Sequence, residues 1–328
     1  MNIYERDILI NLSKDQYINQ RSLAQRTGHS LGTVNQTIKS LMRTGYIDEL
    51  AMLTSKAQDE FKEKKPKRAI ILAAGFGMRM VPINTETTKG LIEVNGEVLI
   101  ERTIRQLHEV GITEIYVVVG FMKEQYEYLI DEFGVELIVN SEYATKNNLH
   151  SIKLAVDHLE NAYIIPCDIW CRENPFSKYE LYSWYMVSDI VDDESSVRVN
   201  RKMELVSVQK KLGGNSMVGI CYLVKEDAEI VKQKIIELSK NRYYDDAFWE
   251  EALYKKDRMI VAAKVVHSVD VVEINTYEQL RELDSDSNQL KTDAIDVICN
   301  ALDVKNDEIS NISVLKKGMT NRSFLFEC

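Results

Sequence analysis

An apolar run, Ala69-Ile70-Ile71-Leu72-Ala73-Ala74, leads straight into Gly75-Phe76-Gly77-Met78-Arg79, and this junction constrains the fold more than any other stretch of the chain. The run has the length and composition of a buried strand. Glycines directly after such a strand let backbone N–H groups approach a phosphate with no Cβ in the way. The third glycine of the dinucleotide fingerprint is missing, and no Gly-Lys-Ser/Thr follows, so neither that fingerprint nor a P-loop fits. Arg79 comes instead, with Thr88-Lys89-Gly90-Leu91 ten residues further on. Two fixed cations beside a phosphate-cradling loop suit transfer of a nucleotidyl group, in which charge builds on the α-phosphate oxygens and on departing pyrophosphate.

At 328 residues the chain is long enough for two or three domains of roughly 150 residues each. Its longest apolar run, Ala69 to Met78, falls far short of the ~20 residues of a membrane span. The N-terminus lacks the basic-then-apolar pattern of a signal peptide. Five cysteines, sparse and odd in number, fit neither a disulfide framework nor a CxxC zinc pair, so reduced thiols and a cytoplasmic location are expected. The net charge of −10 is unevenly spread: residues 1–68 carry +4 and the remainder −14. A small basic part joined to a large acidic one points to two units with different partners. The Lys62–Arg68 stretch reads as a solvated connection, which sets the expected domains at 1–62, a linker at 63–68, and 69–285, with a further segment at 291–328.

The first 62 residues read as three short helices. Ile3, Ile8, Leu9, Ile10 and Leu12 pattern the first, and Gly28 closes the second. Ser30 caps the third, with Leu31, Val34, Ile38 and Leu41 on one face. Gly45 ends it, and residues 46–48 and 52–54 form the two strands of a wing. This resembles the winged helix-turn-helix of bacterial regulators. The resemblance implies DNA contact through residues 20–45, with Thr33, Gln36 and Lys39 facing bases or phosphates. Winged helices also serve as dimerisation or docking modules. A charge of +4 neutralises few phosphates unless the chain forms a homodimer.

The stretch from Leu72 through the Thr88-Lys89-Gly90 turn to Gln125 resembles the nucleotidyltransferase superfamily that makes sugar nucleotides and CDP-alcohols. Leu99 to Val110 reads as a helix with Leu99, Ile100, Ile104 and Leu107 inward and Gly111 at its end, and Ile115 to Val119 as the next strand. The expected class is α/β: a Rossmann-like, doubly wound mixed sheet with ligand at the carboxyl ends of its strands, preceded by the winged helix-turn-helix.

Further stretches are similar to bacterial CTP:phosphocholine cytidylyltransferases: Gly120-Phe121-Met122-Lys123-Glu124-Gln125, Asn147-Asn148-Leu149-His150-Ser151, Ser183-Trp184-Tyr185-Met186-Val187, Asp246-Ala247-Phe248-Trp249-Glu250 and Val272-Glu273-Ile274-Asn275. The resemblance implies formation of CDP-choline and pyrophosphate from CTP and phosphocholine with Mg²⁺. It assigns Ala73, Ala74, Gly75, Gly77, Asn148 and Ser151 to the nucleotide. Arg79, Lys89 and Asp168 go to catalysis, with Asp168, Glu273 and Asn275 toward the metal. A quaternary ammonium donates no hydrogen bonds and is held by aromatic faces and a carboxylate; Trp184, Phe248, Trp249 and Asp246 would form that cage, assisted by Tyr185 or Tyr244. Trp184, standing in an apolar stretch, also fits a core position. Three positions depart from the family's pattern: Asn275 replaces an aspartate, Thr88 a proline, and Pro166 another aspartate. Asn275 would weaken one metal position.

Residues 291–303 read as a helix, then Ile312–Leu315 and Phe324–Phe326 as strands around Lys317-Gly318-Met319-Thr320-Asn321, which resembles the opening nucleotide loop of choline kinases. The His-x-Asp stretch of such kinases does not occur, so a bifunctional protein continuing beyond this segment and a chance tail both fit. Two other functions remain open: a sugar-1-phosphate nucleotidyltransferase, and a transcriptional regulator whose enzyme-like domain senses its ligand.

Overall fold

Capping side chains set the N-terminal helices in the computed structural model, which describes residues 1–193, 195–315 and 323–328. Asn2 and Glu5 form a reciprocal capping box that starts α1 (Ile3–Lys14). Asn19 caps α2 (Gln20–Thr27), and Ser30 caps α3 (Leu31–Arg43). The face that α3 buries is Val34, Thr37, Ile38 and Leu41; Leu31, expected with them, stays exposed in the first turn. The expected two-stranded wing is a single bridge from Ile47 to Leu53. Asp48 turns the chain at once, its Oδ1 accepting the N–H groups of both Leu50 and Met52. A further helix, α4 (Ser55–Glu63), follows and buries Ala57 and Phe61 one turn apart.

This unit is docked on the rest of the chain. Leu181, from a distant loop, is fully buried in its core. The Tyr182 hydroxyl donates to Asp7 at 2.7 Å and the Tyr222 hydroxyl to the Lys64 carbonyl at 2.6 Å. The segment expected as a solvated linker is therefore held against the second unit, with Pro66 buried.

The second unit is built on β1 (Arg68–Ala73), whose residues alternate between two apolar clusters: Ala69, Ile71 and Ala73 face one, Ile70 and Ala74 the other. Burial on both faces is why the run is apolar throughout. A small hairpin, β2 (Glu93–Val94) and β3 (Glu97–Val98), leads into α5 (Leu99–Glu109), and Gly111 at φ 82° turns the chain toward β4 (Glu114–Val119). Then come α6 (Tyr128–Phe133), β5 (Glu136–Val139), α7 (Asn148–Leu154) and β6 (Ala162–Pro166). These strands pair in parallel, with Ile71 of β1 opposite Val117 on one side and Ile165 on the other.

The second half widens the sheet mostly through antiparallel pairings. After β7 (Ile169–Cys171) come β8 (Trp184–Asp192), β9 (Val197–Val199), β10 (Glu204–Ser207) and β11 (Gly214–Leu223), then α8 (Lys225–Leu238), β12 (Tyr254–Lys255) and β13 (Arg258–Val266). Among the described residues the main sheet has ten strands, running β5-β4-β1-β6-β11-β8-β13-β10-β9 with β12 beside β13, and with β8 and β13 parallel to each other. Off this sheet, β14 (Val271–Glu273) pairs with β7, and Glu273 stands opposite Ile169.

The chain then forms α9 (Tyr277–Leu283), α10 (Asp293–Leu302) and a hairpin of β15 (Ser310–Leu315) and β16 (Ser323–Glu327). Leu290, Ile295 and Ile309 share one apolar cluster with Met80, Ile83 and Ile274. A common core thus spans the boundary expected at residue 285 and backs the loop that follows Arg79. The Lys317–Asn321 stretch, expected to resemble a kinase loop, lies outside the described residues. No helix among them is long and apolar enough to cross a membrane.

Candidate active site

A cleft of about 750 Å³ opens where β1 and β6 end, the place an open α/β sheet offers a ligand. Ala73, Ala74, Gly75 and Gly77 line it. Gly77 adopts φ 60°, and a Cβ there would come within 2.8 Å of Lys89 Cγ, so glycine is what lets the lysine stem lie across the loop. Asn84, almost wholly buried, donates its amide to the carbonyls of Phe76 and Gly77 and pins the loop from behind. Lys89 begins a short 3₁₀ turn. Just before it, the Thr88 hydroxyl donates to the Tyr126 hydroxyl at 2.7 Å, and Tyr126 is fully buried. That bond ties down the segment that leads into Lys89.

Strand pairing brings the acids to the same place. Asp168 follows β6, and its carbonyl accepts the Ile274 N–H at 2.9 Å, which holds Glu273 and Asn275 beside it. Lys89 Nζ donates to Asp168 at 2.8 Å and to Asn275 Oδ1 at 2.7 Å; Arg79 donates to the same Oδ1 at 2.7 Å. The structure therefore brings Arg79, Lys89, Asp168, Glu273 and Asn275 to one wall of the cleft. Burial first, and the charge of Asp168 next, push the Glu273 carboxyl above its ordinary range. A divalent cation held by Asp168 and Glu273 would offset that repulsion. No group of three His, Cys, Asp or Glu side chains suited to a metal occurs among the described residues. Two carboxylates are what Mg²⁺ takes when phosphate oxygens and water complete its shell. Asn275, expected to face the metal, instead has its Oδ1 engaged by both cations.

Elsewhere in the cleft the lining turns aromatic and acidic. Asp246 and exposed Phe248 stand at the surface, and Trp249 is buried against Tyr185. The Tyr185 hydroxyl donates to Glu250 Oε1 at 2.9 Å, while Oε2 is buried with no partner among the described residues. Desolvation raises the Glu250 carboxyl to about 7. Asn148 and Ser151 also line the cleft: Asn148 Oδ1 accepts the Trp249 N–H at 2.8 Å, and Ser151 accepts from Asn140 at 3.0 Å. The segment bearing Phe248 and Trp249 is thus stitched to the start of α7.

Trp184 is placed elsewhere. Expected in the ammonium cage, it lies in the core, its indole N–H donating to the buried Glu180 at 3.0 Å and Lys264 Nζ standing 3.9 Å above its ring. It does not line the cleft. The physical reason is the pleat of β8: Trp184 and Met186 point to one apolar cluster, Tyr185 and Val187 to the other. Glu250 follows Trp249 in the Asp246-Ala247-Phe248-Trp249-Glu250 stretch, and its sequence position alone implies no role. A charge directly after a tryptophan in a 3₁₀ turn reads as surface, and only the packing shows its orphaned oxygen. Asn84 and Tyr126 had no sequence signal beyond their polarity.

Residues 69–176 match the MobA-like NTP transferase domain, and residues 1–48 the winged helix-turn-helix DNA-binding family. The chain is 29% identical over 231 residues to a choline-phosphate cytidylyltransferase of Streptococcus pneumoniae, spanning 66% of this chain and 96% of the relative. The solved structure of the CTP:phosphocholine cytidylyltransferase from Streptococcus pneumoniae superposes with a TM-score of 0.61 at 28% identity, covering 67% of this chain and 98% of that one. A 2-aminoethylphosphonate cytidylyltransferase of Lancefieldella rimae is 31% identical over 233 residues, spanning 66% of this chain and 89% of the relative. At that identity, over nearly the whole length of the relative, the chain belongs to the cytidylyltransferase family of MobA-like NTP transferases, with a winged helix-turn-helix domain ahead of its catalytic sheet.

Proposed function

We propose that the protein transfers the cytidylyl group of CTP to phosphocholine, releasing pyrophosphate. The observation that carries the acceptor assignment is Glu250, whose buried Oε2 has no partner among the described residues in a cleft also lined by Tyr185, Phe248 and Trp249. A buried carboxylate oxygen without a donor is costly unless a cation completes it. Aromatic faces beside one carboxylate favour a quaternary ammonium, whereas a primary ammonium has three donors to satisfy. The similarity to choline-phosphate cytidylyltransferases supports the same reading.

In this reading a phosphocholine oxygen attacks the α-phosphorus of CTP in line. A new P–O bond forms as the bond from that phosphorus to the bridging oxygen breaks, and pyrophosphate leaves with the electron pair. Arg79 and Lys89 balance the charge on the equatorial and departing oxygens. Mg²⁺, held by Asp168 and Glu273, would add Lewis-acid charge at the nucleotide phosphates. A phosphate monoester loses its second proton at about pH 6 and needs no strong base.

The acid–base behaviour of Glu250 supplies the test. Only its ionised form attracts the acceptor's cation, so kcat/KM for phosphocholine should fall as pH drops through about 7. Glu250→Gln should remove that inflection, leave the one belonging to the acceptor phosphate, and raise KM for phosphocholine about 10-fold with KM for CTP little changed. Equal effects on both substrates would place Glu250 outside the acceptor site. A preference for 2-aminoethylphosphonate or phosphoethanolamine over phosphocholine would transfer the assignment to a primary ammonium.

Residues 20–45 are proposed to contact DNA. Arg21, Gln36, Lys39 and Arg43 are exposed, while Thr33 is half-buried with its hydroxyl against Ser30. Lys39→Ala should weaken binding to all duplexes alike and lower the salt slope by about one ion. An unchanged slope would remove Lys39 from the interface.

A further inference from the structure

Asn275 occupies an unusual electrostatic position. One amide oxygen accepts from the Arg79 guanidinium and the Lys89 ammonium, both at 2.7 Å. The two cations are thus drawn to a single atom that carries no net charge. With the oxygen taken by two cations, the amide nitrogen is the group left to interact with the neighbouring Glu273 carboxyl, whose upward shift it partly offsets. Its backbone is anchored as well. The Asn275 N–H donates to Gln279 Oε1 at 2.7 Å, within the cap that starts α9, and the residue is 7% exposed.

We propose that Asn275 is a positioning residue that gathers Arg79 and Lys89 on a neutral acceptor, so that the free protein captures the triphosphate of CTP without first requiring a metal ion. This rests on reading the cleft as a CTP site. The cluster holds two cations, two carboxylates and one neutral amide, so the acids do not outnumber the bases. Asp168 pairs with Lys89, while the Arg79 guanidinium hydrogen-bonds the amide oxygen and feels the Glu273 carboxyl only through space. A phosphate oxygen makes a charge-assisted bond roughly twice as strong as one to a neutral acceptor. An incoming triphosphate therefore displaces the amide readily. A carboxylate at this position would neutralise the same cations, compete with the phosphates, and add a third acid that favours a metal in the absence of nucleotide. With the triphosphate in place to share Lys89, the carboxylates of Asp168 and Glu273 would be left to hold a divalent cation.

The test is equilibrium binding with the full chain, wild type and Asn275→Asp. CTP is titrated calorimetrically in EDTA and in Mg²⁺, and Mn²⁺ alone is titrated by electron paramagnetic resonance. The wild type should bind CTP in EDTA within about 10-fold of its affinity in Mg²⁺. Asn275→Asp should weaken CTP binding in EDTA by about 10-fold or more and tighten nucleotide-free Mn²⁺ binding. Wild-type CTP binding seen only with Mg²⁺ would overturn the proposal, as would an Asn275→Asp protein that binds CTP normally in EDTA. The wild-type comparison stands even if the variant misfolds. Failure to bind CTP under either condition would instead remove the cytidylyltransferase reading.

Discussion

Lys89→Met is expected to lower kcat for cytidylyl transfer by about 10²–10³-fold, the usual cost of removing one preorganised charge from a site where negative charge develops. The reasoning starts from geometry. Gly77 leaves room for the lysine stem, the Thr88–Tyr126 hydrogen bond fixes the turn that begins at Lys89, and Asp168 and Asn275 hold its ammonium. An ammonium located before substrate arrives needs little reorganisation during reaction. Methionine preserves most of the stem's packing but brings no charge, so the fold should survive, with Asp168 hydrated from the cleft. Because the interaction strengthens as the bond to pyrophosphate breaks, the loss should fall on kcat more than on KM for CTP. Steady-state kinetics with circular dichroism as a folding control checks this. A normal kcat with only KM raised would reduce Lys89 to ground-state binding.

The second large effect concerns stability. Trp184→Ala should destabilise the protein by about 3–5 kcal/mol, as truncation of a buried tryptophan usually does. Trp184 is 2% exposed, packs beside Tyr163, and supplies one of the two side-chain donors to the Glu180 carboxylate, the other being the Tyr163 hydroxyl at 2.9 Å. Its loss opens a cavity and leaves one oxygen of a buried acid without its partner. The effect should reach the N-terminal unit, because Glu180 immediately precedes Leu181 and Tyr182, which hold that unit in place. Urea unfolding would show it as a lowered midpoint. A fully stable variant with a selectively raised KM for phosphocholine would return Trp184 to the acceptor site.

How far the sequence could be read depended on whether a residue's role is local. The strand-glycine junction at Ala74-Gly75, the helix from Leu99 ended by Gly111, and the Ser30 cap are local patterns, and each was legible. Trp184 and Tyr185 differ only in which face of β8 they occupy. Both faces are buried, so the apolar pattern carries no alternation to separate them. The wing shrank to one bridge because Asp48 makes two side-chain bonds to the backbone that a hydrophobicity pattern does not reveal. The shared cluster of Ile295, Ile309 and Met80 joins residues more than two hundred positions apart in the sequence, beyond the reach of periodicity. Lys89, Asp168 and Glu273 were expected near one phosphate group from resemblance; their mutual contacts, and the part taken by Asn275 and Glu250, come only from the packing of β14 on β7 and of the 3₁₀ turn on α7.

The most direct test of the proposed activity is pyrophosphate release by the purified full chain with CTP and Mg²⁺ across a panel of phosphocholine, phosphoethanolamine, 2-aminoethylphosphonate and glucose 1-phosphate. Release should require CTP and an acceptor together, and phosphocholine should exceed glucose 1-phosphate in kcat/KM by about 100-fold or more, the margin a site built around a buried charge gives over an uncharged competitor. Equal rates with glucose 1-phosphate, or no release from CTP with any of the phosphorylated amines, would contradict the account.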